Sequence, residues 1–236
     1  MKSDKVVKEQ MWKGLMNMGI YYTYQHEDAW KVALERGYLQ GDPHYAMFND
    51  EGFEFFKPAY DWMVEQYEQR IGIPLNGNYP VWCRDEFPDL GTGKRIGSGN
   101  KGVVLTVELP DDQVLASEIS FWDFVLHNST LFDTAEAFDT EEEPIPAYTR
   151  KSWEKLFDQK WCEKMAVDRS IAAPSYQYVI HRIELHHVRA VMPFQDLSDS
   201  WVDRIRGLGW RLGYRLGSKK SIPFQWRDQT GLKEIS

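Results

Sequence analysis

Cysteine is scarce. The 236-residue chain holds two, Cys83 and Cys162. They lie far apart and form no C-x-x-C spacing, so reduced thiols are expected and a zinc site is not. No apolar run reaches the roughly 18 residues that a membrane-spanning helix needs. The opening MKSDKVVKEQ is charged and has no apolar signal core, so a cytoplasmic protein is expected. Familiar catalytic signatures are missing too. There is no H-E-x-x-H. His186 and His187 are adjacent, which on a strand sends them to opposite faces, and His181 stands apart from both. No metal site is expected. There is no G-x-S-x-G for a serine nucleophile and no Walker loop for a nucleotide phosphate.

What is present is aromatic and acidic. Hydrophobic residues make up 42% and charged residues 27%, ordinary for a globular chain, but 14% are aromatic and 10 are Trp. Those rings suffice for a sizeable core and for lining a pocket. The net charge of −8 is unevenly spread. Trp201 to Lys220 carries four Arg, two Lys and one Asp, a sum of +5, and the last sixteen residues sum to zero, so residues 1–200 carry −13. An acidic body argues against broad coating of nucleic acid. The basic segment still offers Arg204, Arg206, Arg211 and Arg215 as candidate nucleic-acid contacts. Gly209, Gly213 and Gly217 recur every four residues there, giving either a helix with a small-residue face or a flexible basic tail. The organisation expected is one α+β domain over residues 1–195, followed by a basic C-terminal extension over 196–236.

The most legible stretch runs from Ile20 to Gly41. Ile20 to Tyr24 is β-branched and aromatic, suited to a strand. His26-Glu27-Asp28 places acids where a helix starts. Trp30, Ala33 and Leu34 share one helical face, and Gly37 fits a left-handed stop. Thr23 and Gln25 then stand at the polar mouth of a strand–turn–helix unit, a common place for a small-molecule site. Asp42-Pro43-His44 predicts a turn. A helix is predicted over about Pro58 to Arg70 with Phe56, Tyr60, Met63 and Tyr67 on its core face and Gly72 as its stop. Strands are predicted at Tyr79–Cys83 and Gly102–Leu109, the latter apolar enough to be central. Between them, five glycines from Gly91 to Gly102 predict a mobile hairpin or lid loop. Ser120 is read as the N-cap of a helix over Phe121–His127. Residues 133–147 predict an exposed acidic excursion, and a helix follows around Thr149–Phe157. Tyr176–Leu185 and Val188–Phe194 predict two further strands. Glu118, between the central strand and a helix, is the most conspicuous single acid.

Two resemblances attach to these residues. Thr23-Tyr24-Gln25, Ala59 to Met63, Tyr79 to Trp82, Val104 to Pro110, Ser120-Phe121-Trp122 and Ser152-Trp153 resemble, in order, the bacterial and phage family called domain of unknown function 3841. That resemblance implies no activity of its own. A weaker one is to ADP-ribosyltransferase folds. Their first motif is a strand ending in His-x-Thr, followed by a helix and a Gly about fourteen residues on. Here Thr23 stands in the His place, Gln25 in the Thr place, and Gly37 fourteen residues after Thr23. Gln177-Tyr178-Val179-Ile180 resembles the block that carries the family's catalytic Glu, with Gln177 replacing it.

This second resemblance implies a mostly antiparallel central sheet with flanking helices, NAD as substrate, and transfer of ADP-ribose to a macromolecular target such as nucleic acid, in a phage-conflict or toxin setting. Cleaving the nicotinamide–ribose bond develops positive charge on the sugar. Thr23 and Gln25 would bond ribose or amide, and Tyr60, Tyr79 or Trp82 would stack on a ring. Gln177 would bind a hydroxyl but carries no charge, so Glu118 or Glu184 would substitute as the acid near the reacting carbon. The alternatives are a non-catalytic binding module on the same fold, or a nucleic-acid-processing enzyme using the basic segment.

Overall fold

A computed structural model describes residues 17–91, 95–139, 146–169, 174–197, 205, 208–209 and 222–224. Arg204, Arg206, Arg211 and Arg215 lie outside the described residues. The chain is α+β and divides into two compact units: Met1–Gln40, Cys83–Gln113 and Arg182–Ser236 in the first, Gly41–Trp82 and Val114–His181 in the second.

The first unit holds an antiparallel sheet and a helix packed against it. Strand β1 (Met18–His26) pairs along its whole length with β4 (Lys101–Pro110), and on its other edge Tyr22 stands opposite Arg84 of β3 (Val81–Arg84). β8 (Val188–Gln195) continues from β4, and β9 (Ile222–Pro223) from β8. Alternation sorts the side chains. Tyr21 and Thr23 share a face with Val103, Leu105 and Val107 of β4, and all five are buried. Tyr22 and Tyr24 share the opposite face with Val104, where Leu90, Met192, Phe87 and Phe194 complete a small apolar cluster. Helix α1 (Glu27–Arg36) follows β1 directly. The His26 Nδ1 accepts from the Asp28 N–H at 3.2 Å, Glu27 and Asp28 occupy the first turn, and Trp30 and Ala33 are buried. Gly37 ends the helix at φ +86°, its N–H donating to the Ala33 carbonyl at 2.9 Å, as the sequence predicts. The chain returns through β2 (Tyr38–Leu39), which pairs with β7 (Ile183–Glu184).

The second unit holds the aromatic core. Helix α2 (Lys57–Ile71) begins with Pro58 in its first turn and stops at Gly72, φ +79°. Its Ala59, Trp62, Met63 and Tyr67 pack with Leu75, Phe121, Val125, Leu131, Trp153 and Met165. β5 (Leu115–Glu118) and β6 (Tyr176–Ile180) form an antiparallel pair in which Ser117 faces Gln177 and Leu115 faces Val179. β5 is followed by α3 (Ile119–Leu126), α4 (Ala135–Asp139), α5 (Pro146–Ser152) and α6 (Gln159–Asp168).

Three sequence expectations change here. The cap of α3 is Glu118, not Ser120, because Ser120 already lies within the helix while Glu118 has extended backbone and its carboxylate reaches the Phe121 N–H at 2.8 Å. The helix expected over Thr149–Phe157 is α-helical only to Ser152 and continues as a 3-10 turn over Trp153–Phe157. There the Ser152 hydroxyl donates to the Thr149 carbonyl at 2.6 Å and accepts the Leu131 N–H at 2.9 Å. The strand expected over Tyr176–Leu185 ends at Ile180, and its last part becomes β7 and a 3-10 turn over Leu185–His187.

Candidate functional site

The three stacking candidates come together in the second unit. Tyr60 projects from α2, Trp82 is the second residue of β3, and Tyr79 precedes that strand. Tyr60 lies edge-on to Tyr79 at 6.1 Å and to Trp82 at 5.9 Å, and Phe48 and Trp122 extend the group, the latter 5.0 Å from Trp82. Phe48 and Trp122 are buried, while Tyr60, Tyr79 and Trp82 are half-buried. The rim is polar. The Tyr79 hydroxyl donates to Asp61 Oδ1 at 2.6 Å, and Lys57 Nζ meets Asp61 Oδ2 at the same distance. Burial and the neighbouring carboxylate push the Tyr79 phenol well above its usual range. Partial burial works to raise the Asp61 carboxyl, but the bonds from Lys57 and Tyr79 outweigh it and hold Asp61 below its ordinary value. The result is a wall of rings at mixed angles with an anion fixed at its edge, suited to stacking a planar group.

The β5–β6 pair supplies the polar part. Gln177 is 6% exposed and Ser117 1% exposed, and they stand directly opposite one another. The Ser117 Oγ and the Gln177 Nε2 are both buried without a hydrogen-bond partner among the described residues. Two residues along each strand, on the same face, Leu115 and Val179 pack in the apolar cluster that also takes in Tyr60, Trp82 and Trp122. Glu118 is placed differently. It is 1% exposed, its Oε2 caps α3, and its Oε1 accepts the Ser175 N–H at 3.2 Å. Each carboxylate oxygen therefore already holds a backbone amide.

Thr23 and Gln25 belong to the first unit. The Gln25 Nε2 donates to the Thr23 Oγ1 at 2.8 Å, so the two side chains serve one another. Gln177 belongs to the second unit, where its strand β6 pairs with β5.

Two features escape sequence reasoning. Among the described residues of the glycine-rich loop, the N–H groups of Arg95, Ile96 and Gly97 converge on Asp196 Oδ2 at 2.5, 2.8 and 3.1 Å. Asp196 is 3% exposed, and its own N–H donates to the Asn100 carbonyl at 2.8 Å. This is an anion-binding nest filled from within, formed where Gly97 takes φ +104°. Residues 95–97 of a loop expected to be mobile are thus bonded to a carboxylate about a hundred residues away in sequence. The second is Cys83 and Cys162. Both are buried, and burial pushes each thiol up to about 12, for Cys162 with help from Glu118 and Asp158. Neither is a nucleophile near neutral pH.

Among the described residues no helix is long and apolar enough to cross a membrane. No curated protein and no solved structure matches the chain. A family profile matches residues 20–143, more than half of the sequence, across the strand–helix unit, the aromatic wall and β5 alike. The chain belongs to the family described as domain of unknown function (DUF3841).

Proposed function

We propose that the chain is a binding module on an ADP-ribosyltransferase-like scaffold, and that its second unit takes up the nicotinamide–ribose half of NAD without transferring ADP-ribose. The observation that carries this reading is the pair Ser117 Oγ and Gln177 Nε2, buried, face to face and uncommitted among the described residues. A buried polar group left unpaired costs about 1–3 kcal/mol, so two side by side point to an occupant that completes them. A hydroxyl and an amide N–H suit a carboxamide or a sugar hydroxyl. The half-buried rings of Tyr60, Tyr79 and Trp82 suit the planar group of the same ligand.

Charge and commitment of the acids favour binding over transfer. A transferase needs an anion beside the cationic sugar carbon. Gln177 carries none, and both oxygens of Glu118 hold backbone amides. Titration with NAD while Trp fluorescence is followed tests the reading, since Trp82 and Trp122 flank the wall. Saturable quenching is expected, weakened in Gln177→Leu, with no nicotinamide released. Unchanged fluorescence at millimolar NAD would sink the proposal. Release of nicotinamide by the wild type would replace it with transfer to a macromolecular target.

A further inference from the structure

The segment from Asp42 to Phe56 holds three short 3-10 turns, Pro43–Tyr45, Met47–Asn49 and Glu54–Phe56. Phe48 and Phe56 point inward and are buried. The other large apolar side chains do not. Tyr45 is 88% exposed, Met47 47%, Phe53 41% and Phe55 45%. The rings of Phe53 and Phe55 each contact Phe56, at 5.5 and 4.4 Å, and Phe55 lies 5.7 Å from the His127 ring, so the aromatic surface is continuous there. Exposed rings so concentrated on one short segment mark an interaction surface. The same segment holds four carboxylates, Asp42, Asp50, Glu51 and Glu54, and neither Lys nor Arg. Asp50, Glu51 and Glu54 are exposed among the rings.

A surface that is apolar and negative selects a partner that is apolar and positive. Such a partner is written in the chain itself. Residues 201–220 carry a net charge of +5 and interleave it with Trp201, Ile205, Leu208, Trp210, Leu212, Tyr214 and Leu216. Of these, Ile205 and Leu208 are described, and each is 59% exposed. The two stretches are complementary in charge and in apolar character, and every copy of the chain carries both.

We propose that the exposed aromatic-acidic surface of residues 42–56 binds the basic segment 201–220 of a second copy of this chain. Two reciprocal contacts of this kind would close a symmetric dimer, and rings buried against apolar side chains would carry its affinity, with the charges setting orientation and rate.

Light scattering on the full chain over a range of concentrations tests this. A concentration-dependent dimer is expected, loosened by added salt. Tyr45→Ser with Phe55→Ser should raise the dissociation constant by at least about tenfold, as for central aromatic contacts. Both side chains are already exposed, so the circular dichroism and melting temperature of the monomer should stay unchanged. Arg204→Gln with Arg206→Gln, Arg211→Gln and Arg215→Gln should weaken the dimer similarly. Mixing the two variants provides the decisive arm. One keeps the basic segment and the other keeps the aromatic surface, so the mixture should form a heterodimer when neither variant dimerises alone. A monomer at every concentration overturns the proposal. So does a dimer that resists both sets of substitutions, or a mixture that fails to associate.

Discussion

Polar groups of the first unit and one buried pair of the second are satisfied in different ways. In the first, polar side chains are matched to partners nearby. Asp196 takes three amides on one oxygen, and Gln25 donates to Thr23. In the second, Ser117 and Gln177 sit opposite each other, just as buried, with a hydroxyl and an amide nitrogen uncommitted among the described residues. Matched polar groups fix a loop or a strand end and serve stability. Unmatched ones lower stability and are retained where something else completes them. The contrast teaches where to look for a ligand. In the strand–turn–helix unit that draws the eye in the sequence, Gln25 and Thr23 are bonded to one another, while the open pair Ser117 and Gln177 lies in the aromatic unit.

That contrast can be broken at several points. The largest effect is expected at Asp196. Asp196→Ala leaves the N–H groups of Arg95, Ile96 and Gly97 without their acceptor, and should cost about 3 kcal/mol or more in denaturant unfolding. Hydrogen exchange at those three amides should rise most. A loss below about 1 kcal/mol would mean that water replaces the carboxylate and that the clamp is not structural.

Glu118→Ala comes next. It removes a helix cap and the acceptor for the Ser175 N–H, and should lower stability by about 2 kcal/mol. This substitution separates the two roles considered for Glu118. An unchanged melting temperature would free the carboxylate for chemistry and reopen the catalytic reading.

Gly37→Val should cost about 1–2 kcal/mol, since a β-branched residue is strained in the left-handed region. Nothing lies within 4 Å of an added Cβ there, so the penalty is purely conformational, and Gly37→Asn should recover most of it. Equal melting temperatures for the Val and Asn variants would contradict that assignment.

The smallest effect on stability is expected at the open pair. Ser117→Ala with Gln177→Leu removes two unpaired buried groups and replaces them with apolar ones, so the double variant should unfold within about 1 kcal/mol of the wild type, or be more stable. Quenching by NAD should nevertheless be lost. A strongly destabilised double variant would show that the pair is satisfied in the free protein and would remove the contrast between the units.

Local physics made much of the architecture legible. A β-branched aromatic run, acids at a helix start and a Gly at its end are all short-range signals, and they give β1, α1 and the left-handed Gly37 from about twenty consecutive residues. The core face of α2 and the central β4 follow from periodicity in the same way. Tyr60, Tyr79 and Trp82 are candidates by residue type and by the resemblance, and their meeting in one group is a matter of the fold.

By itself, then, the sequence determined the α+β class, the strand–helix unit, the helix stops and the aromatic content of the second unit. Each depends on residues within a few positions of one another. Only the tertiary structure decided what the polar residues do. Whether Glu118 is a free acid or a cap depends on where Ser175 and the Phe121 N–H come to rest, 57 and three residues away. Whether the glycine-rich loop moves depends on Asp196, and whether Gln177 is committed depends on Ser117 across a strand pair. A side chain's chemistry is set by the groups within about 3 Å of it. Residue type and spacing give the candidates for that shell, and the fold selects which of them are near.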